Sequence, residues 1–418
     1  MIPNLDGRFD DWGSATVAVQ DPSGDALGAF DVIEMSAMTR GTTLFVRLRL
    51  AGAIQLQNGR EEDGKLILEL EGPDSTLRLD FRGRANSVDD GSWGRFAWDE
   101  LSFVCLPTIL SDEYEMQVDL AAAGIGVGDV VNVNCSGSDS LKRSLTVALE
   151  DSIQERADTS TFAMQGMIRV ANLNTLRGGL ADKERGPQIA RLIKAASASV
   201  YCFQEERDEE LFRKGVERCF ESKPNTVWHE GCGIVSDYPL RKLPFATDAA
   251  AVGVVTMPES NAEIVVLATH LRCCGYAGSD RDDTRAAQAR QIAAEIRRLR
   301  AGAFGEKLKS APVVMVGDYN HVGSSRPLDV LDEVGLADVL ARCPSDGSAY
   351  TWRAISPEET FWPGRLDLIT HSRELKPRHC WVFDSERMTA ARLQELGLKK
   401  EDSRCSDHLM LIADFDVE

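Results

Sequence analysis

The segment VVMVGDYN, residues 313–320, joins a core strand to a polar loop. Its first four residues are all apolar, which is typical of a strand buried on both faces. Gly317 and Asp318 follow at once, and Asn320 comes two residues later. Because Gly, Asp and Asn all suit turns, a surface loop alone would explain this one segment. A functional interpretation requires polar groups at the ends of other strands.

The same arrangement recurs throughout residues 166–418. Apolar strand segments end near polar side chains, and segments such as 282–300 between them have helical periodicity, with Asp282 or Asp283 as the N-cap. Mixed strands and helices predict an α/β domain, in which ligands bind at one end of the strands. The side chains expected to meet there are Asn174, Glu205, His270, Asp318 with Asn320, Asp367, and Asp407 with His408.

Residues 1–152 have a different pattern. Segment 42–50 (TTLFVRLRL) alternates, with Leu44 and Val46 on one face, and other short alternating segments are separated by Gly, Asp and Ser turns. Many short strands of this kind predict an all-β sandwich. Residues 153–165 are polar without strand periodicity, so we predict a linker there. The chain is therefore expected to have two domains.

The charge and hydropathy of the chain limit the classes of function that it can have. Residues 1–160 carry a net charge of −15 and residues 161–418 carry −4, which together give the −19 of the whole chain. The acidic first part would repel polyanions, so it is not expected to bind nucleic acid. No apolar run reaches membrane-spanning length, and no basic region followed by an apolar stretch opens the chain.

The ten cysteines are too few for a disulfide scaffold, and no CxxC pair predicts a zinc site. Cys273 and Cys274 are adjacent. We interpret them as two small side chains, at least one of them buried. The alternative, for a secreted protein, is a disulfide from each to a distant cysteine.

The order and spelling of the strand-end segments resemble the endonuclease/exonuclease/phosphatase superfamily, a group of metal-dependent phosphoesterases. The resemblance covers nearly all of residues 166–418. It implies a DNase I-like α/β four-layer sandwich for this domain. The matching segments are RVANLNT (169–175), FQEE (203–206), GCGIVSDYPL (231–240), ATHL (268–271), GDYN (317–320), GRLDLI (364–369) and SDH (406–408).

The resemblance implies a metal site and a water-activating group. Glu205 matches the main metal ligand, with Asn174 beside it and Asp407 close to the metal. Hard oxygen ligands of this kind suit Mg²⁺ or Mn²⁺. Asp318 matches the residue that orients or deprotonates the attacking water, and Asn320 matches the group that holds the water or a phosphate oxygen.

The resemblance also implies that His270 and His408 donate to phosphoryl oxygens and that Asp367 orients His408. A phosphodiester is an anion, so attack by water requires its charge to be neutralised. A His–Asp pair keeps a histidine charged near neutral pH. Further candidates for substrate contact, with a solvated side chain as the alternative, are Arg272, Arg285 and His321.

DGRFDDW (6–12) and DPSGDALGAFDVIEM (21–35) resemble carbohydrate-binding-module family 9 and DOMON-like β-sandwiches. Such modules bind sugars, haem or no known ligand, and they are usually exported. The resemblance therefore favours a secreted or periplasmic protein whose leader has been removed, with a cytoplasmic protein as the alternative. Candidate contacts are Trp12, Trp93 and Trp98 for a glycan and Asp21, Asp25 and Asp31 for Ca²⁺, against core packing and turn roles.

The resulting prediction is a two-domain hydrolase that cleaves a phosphodiester in one step with metal-activated water. A small diester, a nucleotide and a lipid headgroup all fit an acidic chain. Nuclease action on DNA or RNA is the alternative, although no basic stripe stands out. A rival of another class is a glycan- or surface-binding protein with a degenerate hydrolase domain. The presence of Glu205, Asp318 and His408 opposes that reading.

Overall fold

Four β-sheets and five α-helices form the described part of the chain. The sheet-rich character expected from the sequence is confirmed. Among the helices in the described ranges, none is both long enough and apolar enough to cross a membrane. The structure, a computed structural model, describes residues 3–13, 17–57, 64–88, 96–151, 167–354 and 359–417.

The N-terminal part contributes ten strands, β1 (Val17–Gln20), β2 (Val32–Arg40), β3 (Thr43–Ile54), β4 (Leu66–Glu71), β5 (Thr76–Asp80), β6 (Ala85–Val88), β7 (Val104–Leu106), β8 (Ser111–Asp119), β9 (Val130–Gly137) and β10 (Leu145–Ala148). They form two antiparallel sheets, with the orders β1-β2-β3-β8-β7 and β10-β9-β4-β5-β6. Both sheets share one core, in which Leu44 and Val46 of β3 join Leu68 and Leu70 of β4.

The first sheet is also covered on its other face. Because side chains alternate along a strand, Phe45 of β3 points away from the core that holds Leu44 and Val46. Phe45 and Leu106 of β7 instead pack in a cluster with residues of the C-terminal part. Strands β3 and β7 of this sheet therefore contribute buried side chains on both faces.

The C-terminal part forms two six-stranded sheets. Their orders are β13-β14-β12-β11-β22-β21 and β15-β16-β17-β18-β20-β19. The strands are β11 (Met167–Asn174), β12 (Val200–Gln204), β13 (Asn225–His229), β14 (Cys232–Ser236), β15 (Leu240–Lys242), β16 (Ala250–Thr256), β17 (Glu263–His270), β18 (Val313–Asp318), β19 (Leu336–Val339), β20 (Asp367–Ser372), β21 (Leu375–Phe383) and β22 (Met410–Val417).

Strand β18 shows why these sheets stack. Val314 and Val316 pack in the cluster that lies between the two sheets, whereas Val313 and Met315 pack on the opposite side. A strand covered on both faces needs the continuous apolar run that residues 313–316 provide.

Helices cover the outer faces of both sheets. The third sheet packs with α1 and α2, and the fourth packs with α3 and α4. Two sheets between two helical layers give four layers in all. The helices are α1 (Arg185–Ala196), α2 (Glu209–Cys219), α3 (Asp280–Arg300), α4 (Arg326–Asp332) and α5 (Ala390–Leu396).

The N-terminal sheets make close contacts with the C-terminal part. Trp362 packs in the core of the first two sheets, edge-on to Phe81 and Phe103. The linker predicted at 153–165 lies outside the described residues. The division at residues 1–152 and 166–418 stays a prediction.

Candidate active site

Three neighbouring strands of the fourth sheet carry His270, Asp318 and Asp367 at one level. Strands β17 and β18 are parallel and pair His270 with Asp318. Strands β18 and β20 are antiparallel and pair Asp318 with Asp367. Side chains of directly paired residues lie on the same face of a sheet. The three polar groups therefore form a row where β17 and β18 end and β20 begins.

The third sheet brings Asn174, Glu205 and His408 to this row. Asn174 ends β11, Glu205 directly follows β12, and β22 begins two residues after His408. The amide nitrogen of Asn174 donates to Oδ2 of Asp318 at 3.1 Å and to Oε1 of Glu205 at 3.3 Å. Stacking of the two sheets thus joins groups that are far apart in the sequence.

His408 and Asp367 form a buried pair, with 2.7 Å between Nδ1 and Oδ2. Burial alone would lower the pKa of His408, but the carboxylates of Asp367 and Asp318 outweigh it and raise this pKa to about 10. Burial raises the pKa of Asp367, and the imidazolium opposes that rise. The His408 ring is therefore charged at neutral pH, with Nε2 at 3.7 Å from Oδ2 of Asp318.

Asp318 lies at the centre of the site and is only 2% exposed. The backbone N–H of Asn320 donates to its Oδ1 at 2.8 Å. Its Oδ2 faces Nε2 of His270 at 3.5 Å. The side chain of His270 is 29% exposed, so this edge of the site is reachable from solvent. A carboxylate in this position can accept a proton from water beside it.

Glu205 and Asn320 have a backbone conformation that side chains rarely adopt. Their φ angles are 61° and 45°, both in the left-handed region. Such residues cost free energy and tend to cluster at active sites. Here the two left-handed residues lie where the chain leaves β12 and β18.

The oxygen donors suit a hard divalent cation. Glu205 accepts hydrogen bonds from two neutral groups, the Asn174 amide and the backbone N–H of Arg177 at 3.0 Å. A carboxylate has about four lone-pair sites, so further ligand positions remain. Asp407 accepts from the indole N–H of Trp352 at 3.2 Å. Carboxylate and amide oxygens are typical ligands of Mg²⁺ and Mn²⁺.

A second acidic group could also hold a cation. Asp318, Asp367 and His408 bring ligand atoms within 4.8 Å of one another. Nδ1 of His408 already contacts Asp367, however, and the ring is charged. A histidine binds a metal ion only as the neutral imidazole, so this trio favours proton chemistry over metal binding.

Two of the three residues predicted to contact substrate, Arg285 and His321, are buried, and the prediction is corrected for both. Arg285 is fully buried, and its guanidinium donates to the carbonyl oxygens of Arg272 at 2.8 Å and Cys274 at 3.0 Å. It braces a loop and cannot reach a substrate. His321 is buried, and desolvation lowers its pKa to about 4, so it is neutral and enclosed. Arg272 is exposed, and its role stays a prediction.

The acidic cluster of the N-terminal part differs from the predicted one. The carboxylates of Asp21, Asp25 and Asp139 lie within 4.8 Å of one another. Asp31 instead accepts the backbone N–H of Gly24 at 2.7 Å, which is a turn role. The predicted Ca²⁺ trio is therefore corrected in its third member, and the ion itself stays a prediction.

The predicted sugar-stacking tryptophans are enclosed where the structure describes them. Trp12 is 9% exposed, and its indole N–H donates to Oε2 of Glu115 at 2.9 Å. Trp98 is 3% exposed and packs in the core of the N-terminal sheets. Trp93 lies outside the described residues. Stacking of Trp12 or Trp98 on a glycan is therefore not supported.

Four residues that support the site were missed in the sequence. Asn172 donates to Oδ1 of Asp367 at 3.4 Å. Its signal was a second polar residue two positions before Asn174, on the same face of a buried strand. The others are Ser406, which donates to the Asn174 carbonyl oxygen at 2.7 Å, Thr351, which accepts the Asp367 N–H at 2.9 Å, and Trp352 beside Asp407.

Comparison with known proteins agrees with this geometry. Residues 171–408 match the model of the Endonuclease/Exonuclease/phosphatase family. This match spans more than half of the chain, so the protein belongs to that family and is a phosphoester hydrolase. No curated protein matches the chain.

Similar solved structures share low identity with the chain. The human Nocturnin catalytic domain with bound sulfate is 18% identical to this chain. The match covers 62% of this chain and 97% of the Nocturnin chain, with a TM-score of 0.43. D. rerio TDP2 with a single-strand DNA product is 16% identical over 60% of this chain and 100% of its own (TM-score 0.43). The Bacteroides thetaiotaomicron mannosyl-6-phosphatase Bt3783 is 16% identical over 59% and 99% (TM-score 0.42).

Proposed function

We propose that the protein is a Mg²⁺- or Mn²⁺-dependent phosphodiesterase that cleaves its substrate with water. The observation that carries this proposal is the contact of Asp318 with His270, His408 and Asn174 within 3.7 Å. A buried carboxylate between two imidazoles provides both a proton acceptor for water and donors for an anionic phosphate.

Each side chain has a distinct task in this proposal. Glu205, Asn174 and Asp407 would hold the cation, which when bound neutralises phosphate charge and lowers the pKa of water. Asp318 accepts the proton of the attacking water. The charged ring of His408 donates to a phosphoryl oxygen, as does His270 from the open side. Asn320 fixes Asp318 through its backbone N–H; its side-chain nitrogen donates to the Leu271 carbonyl oxygen at 3.1 Å.

The charge of the chain favours a small substrate over a polymer. Residues 1–160 carry −15 of the −19, and one of their sheets packs against the part that carries the site, so a long polyanion would be repelled. A diester is preferred to a monoester because a diester carries less charge into a site rich in carboxylates. Nucleic acid and monoester substrates are outcomes of the test below.

The test is hydrolysis of bis-p-nitrophenyl phosphate, p-nitrophenyl phosphate and plasmid DNA, each with Mg²⁺, Mn²⁺ or EDTA. The variant Asp318→Asn keeps the shape of the side chain and removes the proton acceptor. We expect kcat to fall by about 10²–10⁴-fold, as for loss of a general base. EDTA should abolish turnover by the wild type.

Asp416→Asn is the matched control. Asp416 lies on β22 and pairs with Arg378 on the protein surface, away from the row of polar groups. This variant should keep wild-type turnover. Equal turnover by Asp318→Asn and Asp416→Asn would refute the proposed role of Asp318. Turnover that persists in EDTA would refute the metal dependence.

A further inference from the structure

Cys273 and Cys274 are neighbouring free thiols in the loop that follows the site residue His270. All ten cysteines of the chain are free, so neither of the two is bonded to a distant cysteine. Their sulfur atoms lie 2.8 Å apart, and both side chains are partly exposed. Seven of the remaining eight cysteines are buried. A contacting, accessible pair of thiols has no role in the phosphoesterase chemistry described above.

The loop that holds this pair is tied directly to the site. Leu271 N donates to the carbonyl oxygen of Asp318 at 2.9 Å. The buried guanidinium of Arg285 donates to the carbonyl oxygens of Arg272 and Cys274. Cys274 itself has a φ of 69°, in the left-handed region. A change in the 273–274 peptide therefore acts on the backbone next to His270 and Asp318.

We propose that Cys273 and Cys274 are a peroxide-reactive dithiol that closes into a reversible disulfide and displaces the loop beside His270. The effect on activity rests on the proposed phosphodiesterase function, whereas the oxidation itself does not. The co-reactant is hydrogen peroxide or an organic peroxide, and the reductant that reverses the step is a small dithiol.

The chemistry balances in two steps. The Cys273 thiolate attacks one peroxide oxygen of hydrogen peroxide, the O–O bond breaks, and the leaving hydroxide takes up a proton to give water and a sulfenic acid. The Cys274 sulfur then attacks the Cys273 sulfur, the S–O bond breaks, and a second water leaves. Two thiols are oxidised to one disulfide, and one peroxide is reduced to two waters.

The electrostatic surroundings support Cys273 as the attacking sulfur. The hydrogen bond from Cys274, with help from Arg281 and Arg272, lowers the pKa of Cys273 to about 6 in spite of burial. The thiolate is the reactive form, so Cys273 is available at neutral pH. By contrast, burial raises the pKa of thiols such as Cys405. Peroxide should therefore oxidise Cys273 and Cys274 in preference to the buried cysteines.

Adjacency makes the expected disulfide easy to reduce. Neighbouring Cα atoms are about 3.8 Å apart. An unstrained disulfide usually joins Cα atoms about 4.4–6.8 Å apart. Strained and exposed disulfides have more oxidising potentials than structural ones, so a small dithiol should restore the thiols. Closure must also change the backbone torsions of Cys273 and Cys274, and Arg285 holds the carbonyl oxygens on either side of the peptide that joins them.

The first measurement is peptide mapping of the full chain after peroxide, before and after dithiothreitol. Trypsin cuts after Arg272 and Arg281 and releases the pair in one peptide, residues 273–281. We expect this peptide to lose two hydrogens, resist alkylation and recover with dithiothreitol. Cys273→Ser and Cys274→Ser should each abolish the change, and Cys380→Ser, at another partly exposed cysteine, should not. Two thiols that stay alkylatable, or that oxidise irreversibly to sulfonic acid, would overturn the proposal.

Two further readouts test the displacement of the loop. Amide hydrogen exchange over residues 271–279 should rise at least about threefold in the oxidised protein, because displacement of the loop weakens hydrogen bonds such as that from Leu271 N to the Asp318 carbonyl oxygen. Hydrolysis of bis-p-nitrophenyl phosphate should fall about tenfold, since small displacements at a site are costly. A disulfide that forms with unchanged exchange would refute the displacement. If the wild type hydrolyses no phosphoester at all, the proposed function fails, while mapping and exchange still decide this inference.

Discussion

At the scale of single residues, His408 depends on Asp367 for both its charge and its orientation. The carboxylate holds Nδ1 at 2.7 Å and raises the pKa of the ring. In Asp367→Asn, we expect that pKa to fall towards its ordinary value of about 6.5. We also expect kcat to fall about 100-fold or more, because the ring loses both its charge at neutral pH and its fixed orientation. NMR titration of the imidazole and steady-state kinetics check both outcomes.

Asp414→Asn separates a specific effect from a loss of stability. Asp414 is also a fully buried carboxylate in an ion pair, with Nε of Arg169 at 2.6 Å, but this pair lies outside the row of site residues. Breaking it should destabilise the protein while the folded molecules keep their kcat. If Asp414→Asn and Asp367→Asn lowered kcat equally, the effect would be structural and the assignment would fail.

Gly317 is required by the close approach of β17 and β18. A Cβ atom at this position would lie 2.0 Å from the carbonyl oxygen of Thr269. We therefore expect Gly317→Ala to reduce the free energy of unfolding by about 2–4 kcal/mol, as measured by urea denaturation. Gly52→Ala, where a Cβ meets no atom within 4 Å, should stay within about 0.5 kcal/mol of the wild type. Similar values for both variants would contradict this packing.

The sequence predicted which polar side chains lie together better than it predicted their surroundings. Asn174, Glu205 and Asp318, which the structure joins through the Asn174 amide, could be selected because each ends or directly follows an apolar strand, which is a local pattern. The burial of Arg285 could not be predicted, because charged side chains are rarely buried and its partners, besides the carboxylate of Asp282, are backbone carbonyl oxygens of loops. A backbone carbonyl oxygen can accept a hydrogen bond whatever the side chain of its residue is, so the sequence does not reveal such acceptors.

At the scale of elements, the start of α3 is fixed by Asp282. Its carboxylate accepts from Gly278 N at 2.9 Å, from Ser324 Oγ at 2.9 Å and from the guanidinium of Arg326. Burial alone would raise the pKa of Asp282, but these donors outweigh it and lower the pKa to about 2. Asp282 thus joins α3 to the loops before it and after β18.

This depressed pKa predicts a dependence of stability on pH. The unfolded chain binds a proton at Asp282 near pH 4, whereas the folded protein resists protonation until about pH 2. The stabilisation is therefore present above pH 4 and is lost as pH falls from about 4 to about 2. In Asp282→Asn, we expect lower stability at pH 7 and a shallower decline over that window, measured by urea denaturation at each pH.

Asp283→Asn is the control for this experiment. Asp283 also pairs with Arg326, at 2.8 Å, but its side chain is 59% exposed. Exposed ion pairs contribute little, so the pH profile should resemble that of the wild type. A profile for Asp282→Asn as steep as that of the wild type would show that other carboxylates govern acid unfolding.

The N-cap of α3 illustrates the limits of sequence patterns for elements. We predicted a helix over 282–300 with Asp282 or Asp283 as its cap. The helix instead begins at Asp280, and Ser279 accepts the N–H of Asp282. Several consecutive polar residues can each cap a helix, and tertiary contacts decide among them. Here the contacts of Asp282 place it inside the first turn.

At the scale of the whole molecule, the N-terminal sheets hold the loops around the site. Thr108 Oγ1 contacts the carbonyl oxygen of His321 at 2.6 Å. Leu110 N donates to the carbonyl oxygen of Gly323 at 2.7 Å, and Ala277 N donates to Oε1 of Gln55 at 2.9 Å. These loops follow the strands that carry Asp318 and His270.

Thr108→Val should weaken both parts of the molecule at once. The substitution keeps the shape of the side chain but removes the donor to the buried carbonyl oxygen of His321, which costs about 1–3 kcal/mol. We expect one unfolding transition at a lower temperature and a several-fold lower kcat. Thr146→Val, at an exposed Thr146–Asn132 hydrogen bond, should change neither. A shift confined to one of two separate transitions would show that the parts are independent.

The contacts between the two parts were beyond the reach of sequence patterns. Alternation in 42–50 correctly places Leu44 and Val46 on one face, but it says nothing about what covers Phe45 on the other. A large apolar residue on the second face has the same sequence pattern whether its side chain is exposed or lies in an interface. Only the assembled fold distinguishes them.

The row of His270, Asp318 and Asp367 restricts where this protein can change length. Inserting or deleting one residue within β17, β18 or β20 would shift a side chain by about 3.3 Å and turn it to the opposite face of the sheet. Natural variants should therefore keep these three strands free of gaps between the polar residue and the rest of the strand. Insertions and deletions should fall in the connecting loops, which are free to differ and so to select different substrates.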